Sequence, residues 1–257
     1  MPSKKTLTVR GGEIRRSRDL KHVYALGGGW PVLKAQWNNP NDDELNLYWR
    51  RMRVGGEKWA GNHTIHRQTV RDVLTDPEYQ AQGEGKGSQL CYTNPRLVAK
   101  VAQVARDYFD GKGLPDGFKA MGDYFAVVPD DNYAWCQCEE CRRLLAVSEQ
   151  DKRGKGLFSN GRNSNYVCSF VNAVAKEVGK THPDKSIVAL GYSSYAYPPK
   201  NLKLEPNVSV APCLHVCYGS VRQIRDNDEA FYRAWLETST RPLFLWNYFH
   251  HPMEPAV

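Results

Sequence analysis

The chain has 257 residues, 41% of them hydrophobic and 25% charged, and 35 Lys and Arg against 28 Asp and Glu give a net charge of +7. That length suits one large domain or two small ones, and the ordinary apolar share excludes collagen-like, disulfide-scaffold and disordered classes. No apolar run approaches the roughly 20 residues of a membrane-spanning helix, and the basic start Met1-Pro2-Ser3-Lys4-Lys5 leads into no apolar stretch of the kind that makes a signal peptide.

Residues 1–42 read as an irregular segment, punctuated by Gly11-Gly12, Gly27-Gly28-Gly29 and Asn38-Asn39-Pro40-Asn41. The character changes at Asp43, which is placed to cap a helix running to Arg53. Leu45, Trp49 and Met52 share one face of it and Gly55-Gly56 ends it. A loop-rich stretch from Pro77 to Ser88 precedes Gln89-Leu90-Cys91-Tyr92; its Gly83-Glu-Gly85-Lys-Gly87-Ser run lacks phosphate-loop spacing and reads as a turn. A helix is predicted from Pro95 to Asp110, with Asn94 as cap, Val98, Val101, Ala105 and Tyr108 as its stripe, and Gly111 as its stop. Phe118 to Val128 reads as one buried strand that ends at Pro129-Asp130-Asp131-Asn132. A second helix over Ser164 to Lys180 turns Val167, Phe170, Val171, Val174 and Val178 inward. Strands follow over Ser186 to Tyr192 and Asn207 to Leu214, then a helix from Asp228 to Glu237 and a strand from Pro242 to Tyr248.

Strands alternating with helices point to a parallel sheet with right-handed crossovers, and unbroken apolar strands suit a sheet covered on both faces. The expected architecture is α/β: a (β/α)8 TIM-barrel-like domain over residues 43–257, incomplete because five or six strands are countable where eight are needed, the first and/or last being missing. Chemistry in such folds sits at the carboxyl ends of the strands. Here those ends carry Asp130-Asp131, Tyr192 to Tyr195, His215, and Trp246-Asn247-Tyr248.

Adjacent carboxylates push their pKa values apart, which suits an acid/base pair in glycoside hydrolysis; Asp130-Asp131-Asn132 equally suits a plain turn cap. Tyr192, Tyr195, His215, Trp246 and Tyr248 offer flat apolar faces with polar rims, as sugar rings require, or form the ordinary rim of a sheet. His63, in a Gly-flanked loop, could contact substrate or move a proton, though a loop histidine is commonly just solvated. Cys136-x-Cys138-x-x-Cys141 brings three thiols together, with spacing suited to a structural zinc whose fourth ligand comes from elsewhere, such as Cys168 or a histidine. A disulfide with one thiol left over, or three reduced thiols, fits the same spacing. Dinucleotide, phosphate-loop, serine-hydrolase and zinc-protease motifs are absent from the sequence.

Several segments together resemble one bacterial family. They are Trp49-Arg-Arg-Met-Arg-Val-Gly-Gly, Gly61-Asn-His63-Thr64, Asp76-Pro77-Glu78-Tyr79, Leu90-Cys-Tyr-Thr93-Asn94-Pro95, the Val128-Pro129-Asp130-Asp131-Asn132 turn with its three cysteines, and Phe170-Val-Asn172 before His182-Pro183. The chain is similar over roughly residues 43–254 to the proteins of domain of unknown function 4838, grouped with the glycosidase barrels and related to glycoside hydrolase family 163. The resemblance implies an eight-fold barrel in exported, carbohydrate-degrading proteins. It implies that Asp131 is the recurring aspartate of the motif, while Asp130 stands where Asn is frequent. By analogy with hexosaminidases that use the substrate acetamide as nucleophile, Asp130 would orient that acetamide and Asp131 would be the general acid/base. The expectation is therefore a glycoside hydrolase acting on a glycan such as a β-N-acetylhexosaminide, needing no cofactor for catalysis. The alternative is an inactive carbohydrate-binding domain. A nucleic-acid binder ranks last, because the basic residues are dispersed rather than clustered.

Overall fold

The computed structural model describes residues 8–9, 12–13, 59–65, 70 and 72–248. The predicted helix from Asp43 to Arg53, the boundary between residues 42 and 43, and the segment after Tyr248 lie outside the described residues. The chain divides into two units, Met1–Glu57 and Lys58–Val257. Within the first, β1 (Thr8–Val9) pairs antiparallel with β2 (Gly12–Glu13).

The second unit is built on a five-stranded sheet: β3 (Ala120–Met121), β4 (Tyr124–Ala126), β5 (Ser186–Gly191), β6 (Val208–Leu214) and β7 (Trp246–Asn247), in that spatial order. β3 pairs antiparallel with β4, and all later neighbours are parallel. Every residue of β5 is buried, as are Val208 to Cys213 of β6, which explains why both read as unbroken apolar runs.

Four helices of ten residues or more are present among the described residues: α1 (Pro95–Phe109), α2 (Glu139–Ser148), α3 (Ser164–Gly179) and α4 (Arg222–Thr238). α1 starts as its sequence requires, with the Asn94 side chain accepting from the Arg96 N–H and Pro95 in the first turn. α3 packs against α1, α2 and β5. Val167, Val171, Val174 and Val178 are all buried on its inner face. Each valine gives up about 0.5 kcal/mol of helix propensity but gains about 1.5–2 kcal/mol by full burial, so packing decides the conformation. α4 packs on β6, its Trp235 Nε1–H donating to the Ala196 carbonyl at 2.6 Å.

This architecture corrects the barrel expectation. A (β/α)8 barrel needs eight parallel strands closed on themselves, whereas the described sheet is open, has five strands and begins with an antiparallel pair. The single strand expected over Phe118 to Val128 is instead a hairpin. Gly122, at φ 58°, and Asp123 reverse the chain between β3 and β4, a conformation glycine adopts without steric penalty. The β5–β6 crossover contains a short 3-10 turn, Ser193–Tyr195, in place of the helix a regular barrel repeat would supply. No helix among the described residues is long and apolar enough to cross a membrane.

Candidate active site at the carboxyl edge of the sheet

Beyond β4 the chain runs through buried Val127 and Val128 to the acidic turn. The Val128 carbonyl receives the Thr64 and Ile65 N–H groups at 3.1 and 2.9 Å, which brings the His63 loop alongside. Asp130 faces back into its own turn: Oδ1 accepts the Asp131 N–H at 2.9 Å and Oδ2 accepts the Asn132 amide at 2.8 Å. Gln89 holds the turn from beneath. Fully buried, its Nε2 donates to the carbonyls of Asp130 and Asn132 at 3.1 and 3.3 Å and to Asn132 Oδ1 at 3.1 Å. Its Oε1 accepts from the Tyr92 hydroxyl at 2.7 Å. Asp131 is left pointing outward, with its side chain 61% exposed.

His63 meets Asp131. Its Nδ1 lies 2.6 Å from the Pro129 carbonyl, which can only accept, so Nδ1 carries a proton. Nε2 then faces Asp131 Oδ1 at 3.7 Å. A lone pair opposite a carboxylate is repulsive, and adding one proton to either partner makes the contact attractive.

His63 touches Tyr192 edge-on, with ring centroids 5.5 Å apart. Tyr192 lines a cavity of about 410 Å³ together with Phe158, His215, Tyr218, Asp228 and Tyr248, within the range of small-ligand sites, about 300–1,000 Å³. His215 stacks on Tyr248 at 5.4 Å and 18°, and Phe158, half exposed, stands edge-on to both Tyr192 and His215. Asp228, from α4, holds the His215 main chain: Oδ2 accepts the His215 main-chain N–H at 2.5 Å, while Oδ1, without a hydrogen bond, lies 3.5 Å from Nδ1. Burial, then Tyr248 and the Asp131 carboxylate, push the Tyr192 phenol well above its usual range. Burial, then Cys213 and Asp131, do the same to Tyr248. Both phenols therefore remain protonated donors at neutral pH.

The residue after Tyr192 is held in an uncommon conformation. Ser193 has φ 53°, the one positive value at a non-glycine residue among those described. Such a conformation costs about 1–2 kcal/mol and is retained because the Ser193 carbonyl accepts the Asn160 N–H at 2.8 Å and its hydroxyl meets the Tyr133 hydroxyl at 2.7 Å. Strain at this point sets the exit direction of the chain directly beside the cavity. Among the other expected rim residues, Tyr195 is only 4% exposed, buried behind Tyr192, while Trp246 lies in β7 against Tyr248. Asp131, His63, Tyr192, His215 and Tyr248 are brought together, and Asp130 supports the turn.

Behind the turn four cysteines converge. The Sγ atoms of Cys91, Cys136, Cys138 and Cys141 all lie within 4.8 Å of one another. The fourth thiol is Cys91, not Cys168 or a histidine, and no disulfide joins the described cysteines. Cys138 caps α2, its sulfur accepting the Cys141 N–H at 3.5 Å. Gln82 N–H reaches Cys136 Sγ at 3.3 Å, and Thr93 and Tyr166 hydroxyls reach Cys141 Sγ at 3.1 and 3.3 Å. Hydrogen bonds from Cys141 and Cys91 hold the Cys136 thiol far below the usual range, while that same contact to Cys136 pushes Cys91 up to about 11. Cys168, alone on α3, is pushed up to about 12 by burial.

Sequence reasoning missed Gln89, Cys91, Phe158 and Asp228. Cys91 lies 45 positions before Cys136 and Asp228 lies 13 after His215, separations fixed by the fold rather than by any local spacing. No curated protein and no solved structure was found to match the chain. A family model described as a domain of unknown function, DUF4838, matches residues 18–256, and the chain therefore belongs to the DUF4838 family.

Proposed function

We propose that the protein is a glycoside hydrolase acting on a glycan, with a β-N-acetylhexosaminide as the substrate class, and that Asp131 is its general acid/base. The observation that carries this reading is the exposed Asp131 carboxylate, with His63 Nε2 3.7 Å from it, beside an aromatic, hydroxyl-lined cavity. A glycosidic oxygen must be protonated as it leaves, and a carboxyl group within reach of that oxygen can supply the proton. Tyr192, Tyr248 and Phe158 present ring faces to a sugar, while His215 and the two phenols address its hydroxyls. Asp130 keeps Asp131 outward through its own turn bonds. The resemblance to the DUF4838 family, some of whose relatives form glycoside hydrolase family 163, favours an N-acetylated substrate and an exported protein. The chemistry needs no cofactor, and a metal held by the four cysteines is structural, behind the acidic turn.

The second reading is a carbohydrate-binding domain without turnover. The exposure of Asp131 favours it, because a general acid acts most effectively where the site is shielded from bulk solvent. Digestion of a mixed N-acetylhexosamine glycan pool separates the two. Hydrolysis predicts new reducing ends with the wild type and none with Asp131→Asn. Equal glycan binding by both proteins with no reducing ends from either overturns the hydrolase.

A further inference from the structure

We propose that Cys91, Cys136, Cys138 and Cys141 bind one zinc ion in a closed four-thiolate site, and that this ion is the clasp that holds the Asp130–Asn132 turn in place. The proposal stands independently of the glycan reading. Sulfur spacing is the first argument. Four sulfurs around zinc at about 2.3 Å form a tetrahedron with edges of about 3.8 Å. Cys91 Sγ lies 3.7 Å from Cys138 Sγ and 3.8 Å from Cys141 Sγ, too far for disulfides and matched to those edges. The spread of all four within 4.8 Å suits a mononuclear ion.

Charge is the second argument. Zinc with four thiolates carries a net charge of about −2 and releases the thiol protons to solvent on binding. The sulfurs are already met by main-chain N–H groups of Gln82 and Cys141 and by the Thr93 and Tyr166 hydroxyls, the outer-shell donors such a site needs. Cys138 and Cys141 also occupy the first turn of α2, where the helix dipole favours negative charge. Zinc is the ion that closed tetrahedral four-sulfur sites commonly hold in structural roles.

The ligands come from both sides of the acidic turn. Cys136 follows it by four residues. Cys91 lies two residues after Gln89, whose amide holds the Asp130 and Asn132 carbonyls. The Gln137 N–H also donates to the Gln82 carbonyl at 3.0 Å, tying the two ligand-bearing segments by main chain. Zinc would close a ring that runs Cys91, Gln89, Asn132, Cys136.

Metal analysis of the full chain purified without chelator should find one zinc per chain, and zinc-edge X-ray absorption should find four sulfurs at about 2.3 Å. Cys91→Ser should lose the zinc, while Cys168→Ser and Cys213→Ser keep it; if Cys91→Ser fails to fold, the absorption spectrum of the wild type decides. Absence of zinc, iron in its place, nitrogen or oxygen in the shell, or zinc retained at full occupancy by folded Cys91→Ser overturns the site. Stripping the metal should raise amide exchange at least tenfold across residues 130–138 and leave residues 186–191 unchanged. Unchanged exchange at 130–138 overturns the clasp.

Discussion

Gln89→Leu isolates the contribution of one buried amide to the acidic turn. Leucine is close to glutamine in volume, so little cavity forms and the loss is chiefly of hydrogen bonds. Two main-chain carbonyls, of Asp130 and Asn132, lose their side-chain donor, whereas Tyr92 keeps its second acceptor, the Ile65 carbonyl at 3.0 Å. Stranding a buried acceptor costs about 1–3 kcal/mol, and the partial exposure of Asp130 places the sum for the two near 2–4 kcal/mol. At about 2–4 °C per kcal/mol for a domain of this size, the midpoint should fall by about 4–16 °C. Thermal unfolding followed by circular dichroism, on proteins of matched metal content, reads this directly. Gln103→Leu on the exposed face of α1 is the control and should change stability by less than about 0.5 kcal/mol. A midpoint shift for Gln89→Leu no larger than that of the control would refute the role assigned to this amide.

Asp151 tests a different contact. Burial opposes its ionisation, but hydrogen bonds from Arg153 and Lys200 outweigh that and hold its carboxyl below the usual range. Its contribution is therefore present above the unfolded pKa of about 4 and fades as pH falls through the lower folded value. Asp151→Asn should cost about 1–2 kcal/mol at pH 7 in denaturant unfolding, since the Arg153 and Lys200 charges it leaves are partly solvated, with the gap to wild type closing at strongly acidic pH; a gap independent of pH contradicts the ion-pair origin. Gly191→Ala should destabilise by about 1–3 kcal/mol, since its Cβ would sit 2.7 Å from Trp235 Nε1 and 3.0 Å from the Ala196 carbonyl. An unchanged denaturation midpoint would show that this corner of the sheet relaxes freely.

Elements governed by local chemistry were legible in the sequence. α1 and α3 begin and end within a residue or two of their predicted bounds, because caps and valine or alanine stripes mark them, and β5 and β6 announce themselves as apolar runs. α2 was hidden because its N-cap is Cys138 and the cysteine spacing drew attention to chemistry instead of to helix geometry. α4 begins at Arg222, six residues before its predicted start at Asp228, since its first turns are largely charged and exposed. Closure of the sheet was not legible: strands covered on both faces look alike in a barrel and in an open sheet. Gly122-Asp123 carried a hairpin signal that the apolar flanks obscured. At the site, the sequence marked Asp131, His63 and the aromatic strand ends, but gave no means of separating the outward Asp131 from the inward Asp130, because only the turn's hydrogen bonds distinguish them.

The most direct test of Asp131 as proton donor compares leaving groups. Asp131→Ala and wild type are assayed on an N-acetylhexosamine glycan and on dinitrophenyl N-acetyl-β-glucosaminide, whose leaving group departs without protonation. The variant should lose about 10²–10⁴-fold on the glycan, the typical worth of general acid catalysis, and far less on the aryl glycoside. Equal losses on both substrates, or no cleavage of either by the wild type, would contradict the role of Asp131.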